Sequence, residues 1–362
     1  MIGLRRVGFL LLIASLLAGQ IAPACAQTVE GIEQAWRAWM VKQGQRTGGM
    51  VVVHAGQPVH EVAMGRAVVG APVSFGSLSK AITGVCIAHL IDRGRLSFDT
   101  PLSQALARTF ARIGAPADPR LAAVTISQLL VHRAGLGPKA DTANAPLAAY
   151  LRNNTARRTA FDTQLKWVIE RKLPLEPGTR YAYSNAAYLI LGAVIEEMSG
   201  QDYESFCRQN VLLPLGARDA ALDPNWRILS SYGGWRMPLS DYGRFYQAFA
   251  LGNPAIGPVS RAWMMSPAGK QVGGGTHYGL GTFVRPTPVG GGNFWHWGAW
   301  TYTLPGAHDG PLKTSYSSFA VRWGDLDVNI VVHTEPALGK GGGQNQLDGA
   351  LATAASAVKS WP

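Results

Sequence analysis

The chain reads as an α+β protein: one antiparallel sheet is built from both chain ends and covered by helices, with a mostly helical insertion between them. Three observations predict this. Short β-type runs sit near the start, at residues 50–53 and 59–63, and return only after residue 230. Between them, over about 95–230, helical periodicity dominates. The last two runs, 315–322 and 328–333, are joined by the tight turn Trp323-Gly324-Asp325-Leu326, so they are antiparallel neighbours. This order closes most simply as a sheet that recruits strands from both termini.

The first residues stand apart. Arg5 and Arg6 precede an apolar run over 8–18, and Ala24-Cys25-Ala26 gives a small-x-small site before Gln27. That is the pattern of a secretory signal peptide over residues 1–26, with the folded domain at 27–362. It predicts a periplasmic or secreted protein. The run falls well short of the ~20 residues a membrane span needs, and no later run approaches that length, so no stable membrane insertion is expected.

Residues 29–43 form an amphipathic helix, with Ile32, Trp36, Trp39 and Met40 on one stripe. The runs 50–53 and 59–63 make a hairpin through Ala55-Gly56-Gln57-Pro58. A strong helical pattern runs from Ser77 to Arg93 and stops at Gly94. Thr125 and Gln128 have capping-box spacing ahead of Leu129 and Leu130. Further helices are predicted at 161–172 and 185–198, strands at 278–284 and 293–302, and a closing helix at about 346–361. The glycine clusters 273–275, 290–292 and 341–343 read as loops.

With 47% hydrophobic and 15% charged residues, the chain has the composition of a packed globule. The formal net charge is +11, but the basic residues are scattered. The densest group, over 152–158, has no aromatic stacking partners and reads as solvated surface, so no nucleic-acid partner is expected. Cys25 leaves with the leader. Cys86 and Cys207 each lie in an apolar helical pattern and read as buried thiols, with a disulfide between them left open for an oxidising compartment. Neither has the spacing of a metal or redox site, and no cofactor is implied.

The chemistry-bearing residues begin with Ser77-Leu78-Ser79-Lys80. On a helix, positions i and i+3 share a face. A serine hydroxyl becomes a good nucleophile when a base takes its proton, and a lysine held out of water one turn away can be that base. At a helix start, backbone N–H groups also favour developing negative charge. Ser356-Ala357-Val358-Lys359 has the same spacing but lacks a preceding glycine and a strand-to-helix turn, so it reads as a solvated helix face. Tyr183-Ser184-Asn185 follows Pro177-Gly178 on a loop before a helix. A phenol beside a lysine ammonium is held closer to its phenolate form and can carry a proton, and Asn185 can bond the lysine or a substrate amide. A third element fits His296-Trp297-Gly298: His296 to meet substrate, Gly298 to admit it close to the strand, and Ala299 to offer a second oxyanion N–H beside that of Ser77. The rivals His308-Asp309-Gly310 and His54-Ala55-Gly56 lie in a loop and a hairpin turn, where structural roles suit them better. Trp295, Trp297 and Trp300 are candidates for the wall of the site or for core packing. Arg285 and Arg322 are candidates for a substrate counter-charge.

Four stretches occur in one order: Phe75-Gly76-Ser77-Leu78-Ser79-Lys80, Gly94-Arg95-Leu96-Ser97-Phe98-Asp99, TISQLLVHRAGL from Thr125, and PGTRYAYSN from Pro177. Together they resemble the class C β-lactamase and penicillin-binding-protein-like serine hydrolases over about residues 48–335. The resemblance implies Ser77 as nucleophile, Lys80 and Tyr183 as proton-transfer partners, Asn185 in the same network, and structural roles for His132 and Gly135. It implies acyl transfer to water. An ordinary histidine is only about one-tenth charged at pH 7.5, so His296 is a weaker, partly charged anchor for a substrate carboxylate than a lysine, and a small ester is favoured over a β-lactam or a cell-wall D-amino-acid peptide. A sensor that acylates and stops is the rival reading. Where the family's lactamases usually carry Lys-Thr-Gly, this chain carries His-Trp-Gly. The sequence leaves open the acyl group, the deacylation rate and the oligomeric state.

Overall fold

The computed structural model describes residues 27–137, 157–288, 291–304, 312–339 and 343–362. The expected signal peptide, the side chains of the 152–158 group and His308-Asp309-Gly310 lie outside them.

Eight strands form one sheet, and β2 (Gln57–Met64) stands at one edge and β6 (Gln271–Gly273) at the other. With β1 (Thr47–His54), β7 (Thr276–Gly279), β8 (Thr282–Pro286), β9 (Gly292–Leu304), β10 (Leu312–Trp323) and β11 (Val328–Glu335) between them, the order is β2-β1-β11-β10-β9-β8-β7-β6. β1, from the N-terminal side, pairs antiparallel with β11 from the C-terminal side, Val51 opposite Val331. This is the sheet of both chain ends that the sequence predicts. Three short strands, β3 (Val73–Ser74), β4 (Ala221–Leu222) and β5 (Trp235–Met237), make a second sheet in the order β3-β5-β4.

Alternation along the strands sorts side chains to two faces. Met50, Val52, Phe319, Ile330 and Val332 face the helices Val29–Lys42 and Gly343–Ala357, through Ile32, Trp36, Met40, Leu347 and Leu351. Those helices are tied where Trp39 Nε1 donates to the Gly343 carbonyl at 2.7 Å. Val51, Val53, Ala320 and Val331 face the larger core with Ile82, Val85 and Tyr242. The helices Ser79–Asp92 and Asn185–Ser199 are apolar on nearly every side and are buried accordingly.

Several boundaries differ from the sequence reading. The first hairpin turns on Ala55 and Gly56 alone, both at positive φ, which suits the twist of a two-residue connection. The single strand expected at 278–284 is a hairpin: Leu280 and Gly281, with φ of 50° and 81°, break it into β7 and β8. A Cβ on Gly281 would overlap the Lys80 carbonyl, and one on Gly84 would overlap that of Leu280. The turn therefore presses on the helix that follows Ser77, and only glycines permit the approach. The capping box forms as expected, with Thr125 and Gln128 each bonding the other's backbone N–H. Cys86 and Cys207 are joined as a disulfide, not left as the two thiols the apolar pattern favours, because folding brings their Cα atoms to 5.7 Å across 121 residues.

Candidate active site

Ser77 is held by a turn that is fastened on every side. Gly76, at φ 55°, swings the chain from β3 into the turn Gly76–Leu78, which runs on into the helix Ser79–Asp92. The α-helix therefore begins two residues later than the sequence suggests. Phe75 N–H donates to the Trp235 carbonyl at 3.1 Å. Ser318 Oγ donates to the Phe75 carbonyl at 2.8 Å. Tyr242 Oη donates to the Leu78 carbonyl at 2.9 Å, and Ser79 Oγ accepts from Trp235 N–H at 3.1 Å. With its neighbours bolted in this way, the backbone at Ser77 is held in one place.

Lys80 is fully buried. Its Nζ lies 3.1 Å from Ser77 Oγ, 2.7 Å from Asn185 Oδ1 and 2.8 Å from the Tyr232 carbonyl oxygen. It also sits 4.9 Å from the centre of the Tyr183 ring. Two of its contacts are pure acceptors and take N–H groups, and Ser77 Oγ stands at a third position of the amine. When the lysine is uncharged, that position is a lone pair placed to take the serine proton. The fold thus brings Ser77, Lys80, Tyr183 and Asn185 together. The Tyr232 carbonyl is a partner that no sequence signal marks, because any residue carries one.

Ala299 also reaches the site. A Cβ placed on Gly76 would be 3.4 Å from the Ala299 amide nitrogen, so β9 runs directly beside the Ser77 turn. Gly298 makes this possible in a way that differs from the expectation. The space a Cβ would fill at Gly298 is taken by the Phe75 carbonyl and Ser318 Oγ, not left for substrate. Gly298 lets protein approach protein.

His296 departs further. It is 3% exposed. Its Nδ1 lies 2.6 Å from the Trp297 carbonyl oxygen, which can only accept, so Nδ1 carries the proton. Nε2 then accepts from Tyr278 Oη at 2.9 Å. Burial, with Lys80 adding to it, pushes the imidazole down to about 3. His296 stands in the wall near Tyr183, with ring centres 6.1 Å apart, but both nitrogens are engaged within the protein. It is a neutral wall group and no partly charged substrate anchor.

The remaining candidates separate by face. Trp295 stacks on Phe283, and Trp297 on Phe319 beneath the terminal helices, on the opposite face of the sheet from Gly298. Trp300 shares the face of Gly298 and meets Trp226 and Tyr302. Arg285 lies over the Trp295 ring, and Arg322 is tied to Asp327, Asn329 and Gln247, so neither supplies a charge to Ser77. Ser356 and Lys359 are exposed, where the helix Gly343–Ala357 ends, and His54 stacks on Trp361.

A probable fimbrial assembly protein FimD of Dichelobacter nodosus is 33% identical to the chain over 131 residues, 36% of this chain and 30% of that protein. Esterase EstB of Burkholderia gladioli is 29% identical over 178 residues, 48% of this chain and 42% of the esterase. The chain spans less than half the length of these curated relatives. A D-stereospecific amidohydrolase from Streptomyces sp. shares the fold, with a TM-score of 0.68 at 18% identity over 88% of this chain and 97% of that one. The model of the Beta-lactamase family matches residues 29–321, so the ordered motifs and the sheet that carries them have one source: the chain belongs to the Beta-lactamase family.

Proposed function

We propose that the protein is an exported serine hydrolase that forms an acyl-enzyme on Ser77 and acts on small neutral esters. The observation that carries this is the contact of Lys80 Nζ with Ser77 Oγ at 3.1 Å, with Asn185 and Tyr232 holding the amine from behind. Ser77 Oγ attacks the carbonyl while its proton passes into the Lys80/Tyr183 pair. The amides of Ser77 and Ala299 hold the tetrahedral oxyanion. The leaving group departs with the proton. Water then attacks the ester formed on Ser77, returns a proton to the serine oxygen, and releases the acid.

The ester preference rests on charge. A β-lactam or a peptide C-terminus presents a carboxylate. His296 is neutral, and Arg285 and Arg322 are engaged elsewhere. Lacking a charge-assisted contact costs about 1.5–3 kcal/mol. In the transition state that is roughly 10- to 150-fold in kcat/KM. A neutral ester has no such contact to lose. EstB, by name an esterase, supports this choice. Export is supported by the buried Cys86–Cys207 disulfide, which suits an oxidising compartment.

Two measurements test the proposal. Peptide mapping after reaction with a fluorophosphonate places the adduct on the Ser77 peptide, and Ser77→Ala abolishes turnover. An adduct elsewhere, or an active Ser77→Ala protein, ends the acyl-enzyme reading. The kcat/KM for p-nitrophenyl acetate and butyrate exceeds that for a chromogenic cephalosporin. If the cephalosporin wins about tenfold, ~1.4 kcal/mol, a lactamase replaces the esterase.

A further inference from the structure

His132 is buried at 1% exposure and held at a left-handed φ of 56°. It fastens the chain on both sides of Tyr183. Ser184 N–H donates to His132 Nδ1 at 3.2 Å, and Ala182 N–H donates to the His132 carbonyl oxygen at 2.8 Å. The imidazole lies against the Tyr183 ring, centre to centre 4.3 Å, and Tyr278 and Tyr188 enclose it at 4.7 and 5.2 Å. Gly178 N–H donates to the next carbonyl, that of Arg133, at 2.7 Å. The loop from Pro177 to Tyr183 is thus laid along the residues that follow the Ile126–Leu130 helix.

We propose that His132 is a positioning residue for Tyr183: its Nδ1 and its carbonyl oxygen fix the two peptide groups that flank the tyrosine and so set the phenol beside Lys80 and Ser77. The left-handed conformation lets one residue present both acceptors to one strand of chain. Since a backbone N–H can only donate, Nδ1 must be unprotonated and the ring carries its proton on Nε2. Burial, with Lys80 and His296 nearby, keeps the imidazole well below its ordinary pKa and therefore in the form that can accept. Protonation would break the Ser184 bond and place a second cation against Lys80. This assignment rests on the acyl-enzyme reading above and adds to it a residue that need not touch substrate.

The experiment is a double-mutant cycle on p-nitrophenyl butyrate hydrolysis, with active sites titrated by a fluorophosphonate so that turnover is counted per folded molecule. His132→Ala removes the acceptor, and His132→Asn returns an oxygen near the place of Nδ1 in a residue that accepts positive φ. His132→Ala lowers kcat about 30-fold with KM within about twofold, the pattern of an interaction made only in the transition state. His132→Asn recovers at least tenfold of that loss. In a Tyr183→Phe background the further loss from His132→Ala falls below about threefold, because the two residues act as one unit. A His132→Ala protein that melts lower but keeps kcat per active site, equal losses from His132→Ala with and without Tyr183→Phe, or failure of Asn to improve on Ala would overturn the assignment. Full activity in Ser77→Ala instead removes the acyl-enzyme reading itself, so the two failures are distinguishable.

Discussion

A buried lysine is costly unless each of its hydrogens finds an acceptor, and Lys80 meets that demand with groups that also aim it. Asn185 Oδ1 and the Tyr232 carbonyl draw the amine from behind, and the Ser77 hydroxyl lies in front. Tyr183, its ring centre 4.9 Å from the amine, is the second proton carrier in the proposed mechanism. Tyr183→Phe is expected to lower kcat about 100-fold, within the range of lost general acid–base catalysis, while the melting temperature shifts little. A large loss of stability with nearly intact turnover per folded molecule would make Tyr183 a packing residue. Ser77, Lys80, Tyr183 and Asn185 were legible because side chains of particular chemistry stand at particular spacings. The Tyr232 carbonyl and the engaged nitrogens of His296 were not, because neither a main-chain acceptor nor the burial of a ring is written in local sequence.

Among the elements, β9 and the turn at Ser77 depend on each other. They meet where Gly298 lets the Phe75 carbonyl lie on the strand, and Ser318 Oγ fastens the contact. Gly298→Ala puts a methyl group into the Phe75 carbonyl, and backbone cannot yield as a flexible side chain does. The variant should lose both melting temperature and kcat, since the Ala299 amide moves away from Ser77. A fully active and equally stable Gly298→Ala protein would show that the contact is not required. The disulfide links the helix that follows Ser77 to the Tyr203–Cys207 helix across 121 residues. Bridging so long a loop restricts the unfolded chain, and its removal costs roughly 2–5 kcal/mol. The Cys86→Ala/Cys207→Ala protein, or the native protein with reductant, should melt several degrees lower. An unchanged melting temperature would mean that the bond contributes nothing at equilibrium.

Across the whole molecule, acid should be destabilising well before the carboxylates titrate. Burial holds His132 and His296 neutral, His296 down to about 3 and His132 well below its ordinary value. Below about pH 6.5 the unfolded chain binds protons that the folded chain refuses. Stability present above pH 6.5 is therefore lost as pH falls toward 3, at up to about 1.4 kcal/mol per pH unit for each such group. Melting temperature should fall steadily from pH 7 to pH 5, and His296→Gln should flatten the slope. A flat profile in the native protein over that range would show that these rings are not held neutral.

The sequence by itself determined the family motifs, the α+β class, the sheet of both chain ends and the residues that face one another at Ser77. Those features follow from periodicity and from reactive side chains at fixed spacings, which are local properties. It did not determine what occupies the space around each of those residues. Only the tertiary structure decided that Gly298 admits the Phe75 carbonyl, that His296 is sealed neutral behind Tyr278, that Trp297 lies on the far face, and that Cys86 meets Cys207. Each of these outcomes depends on a neighbour far away in the chain, brought close by packing. Burial and approach distance belong to the assembled layers, not to any one segment of the chain.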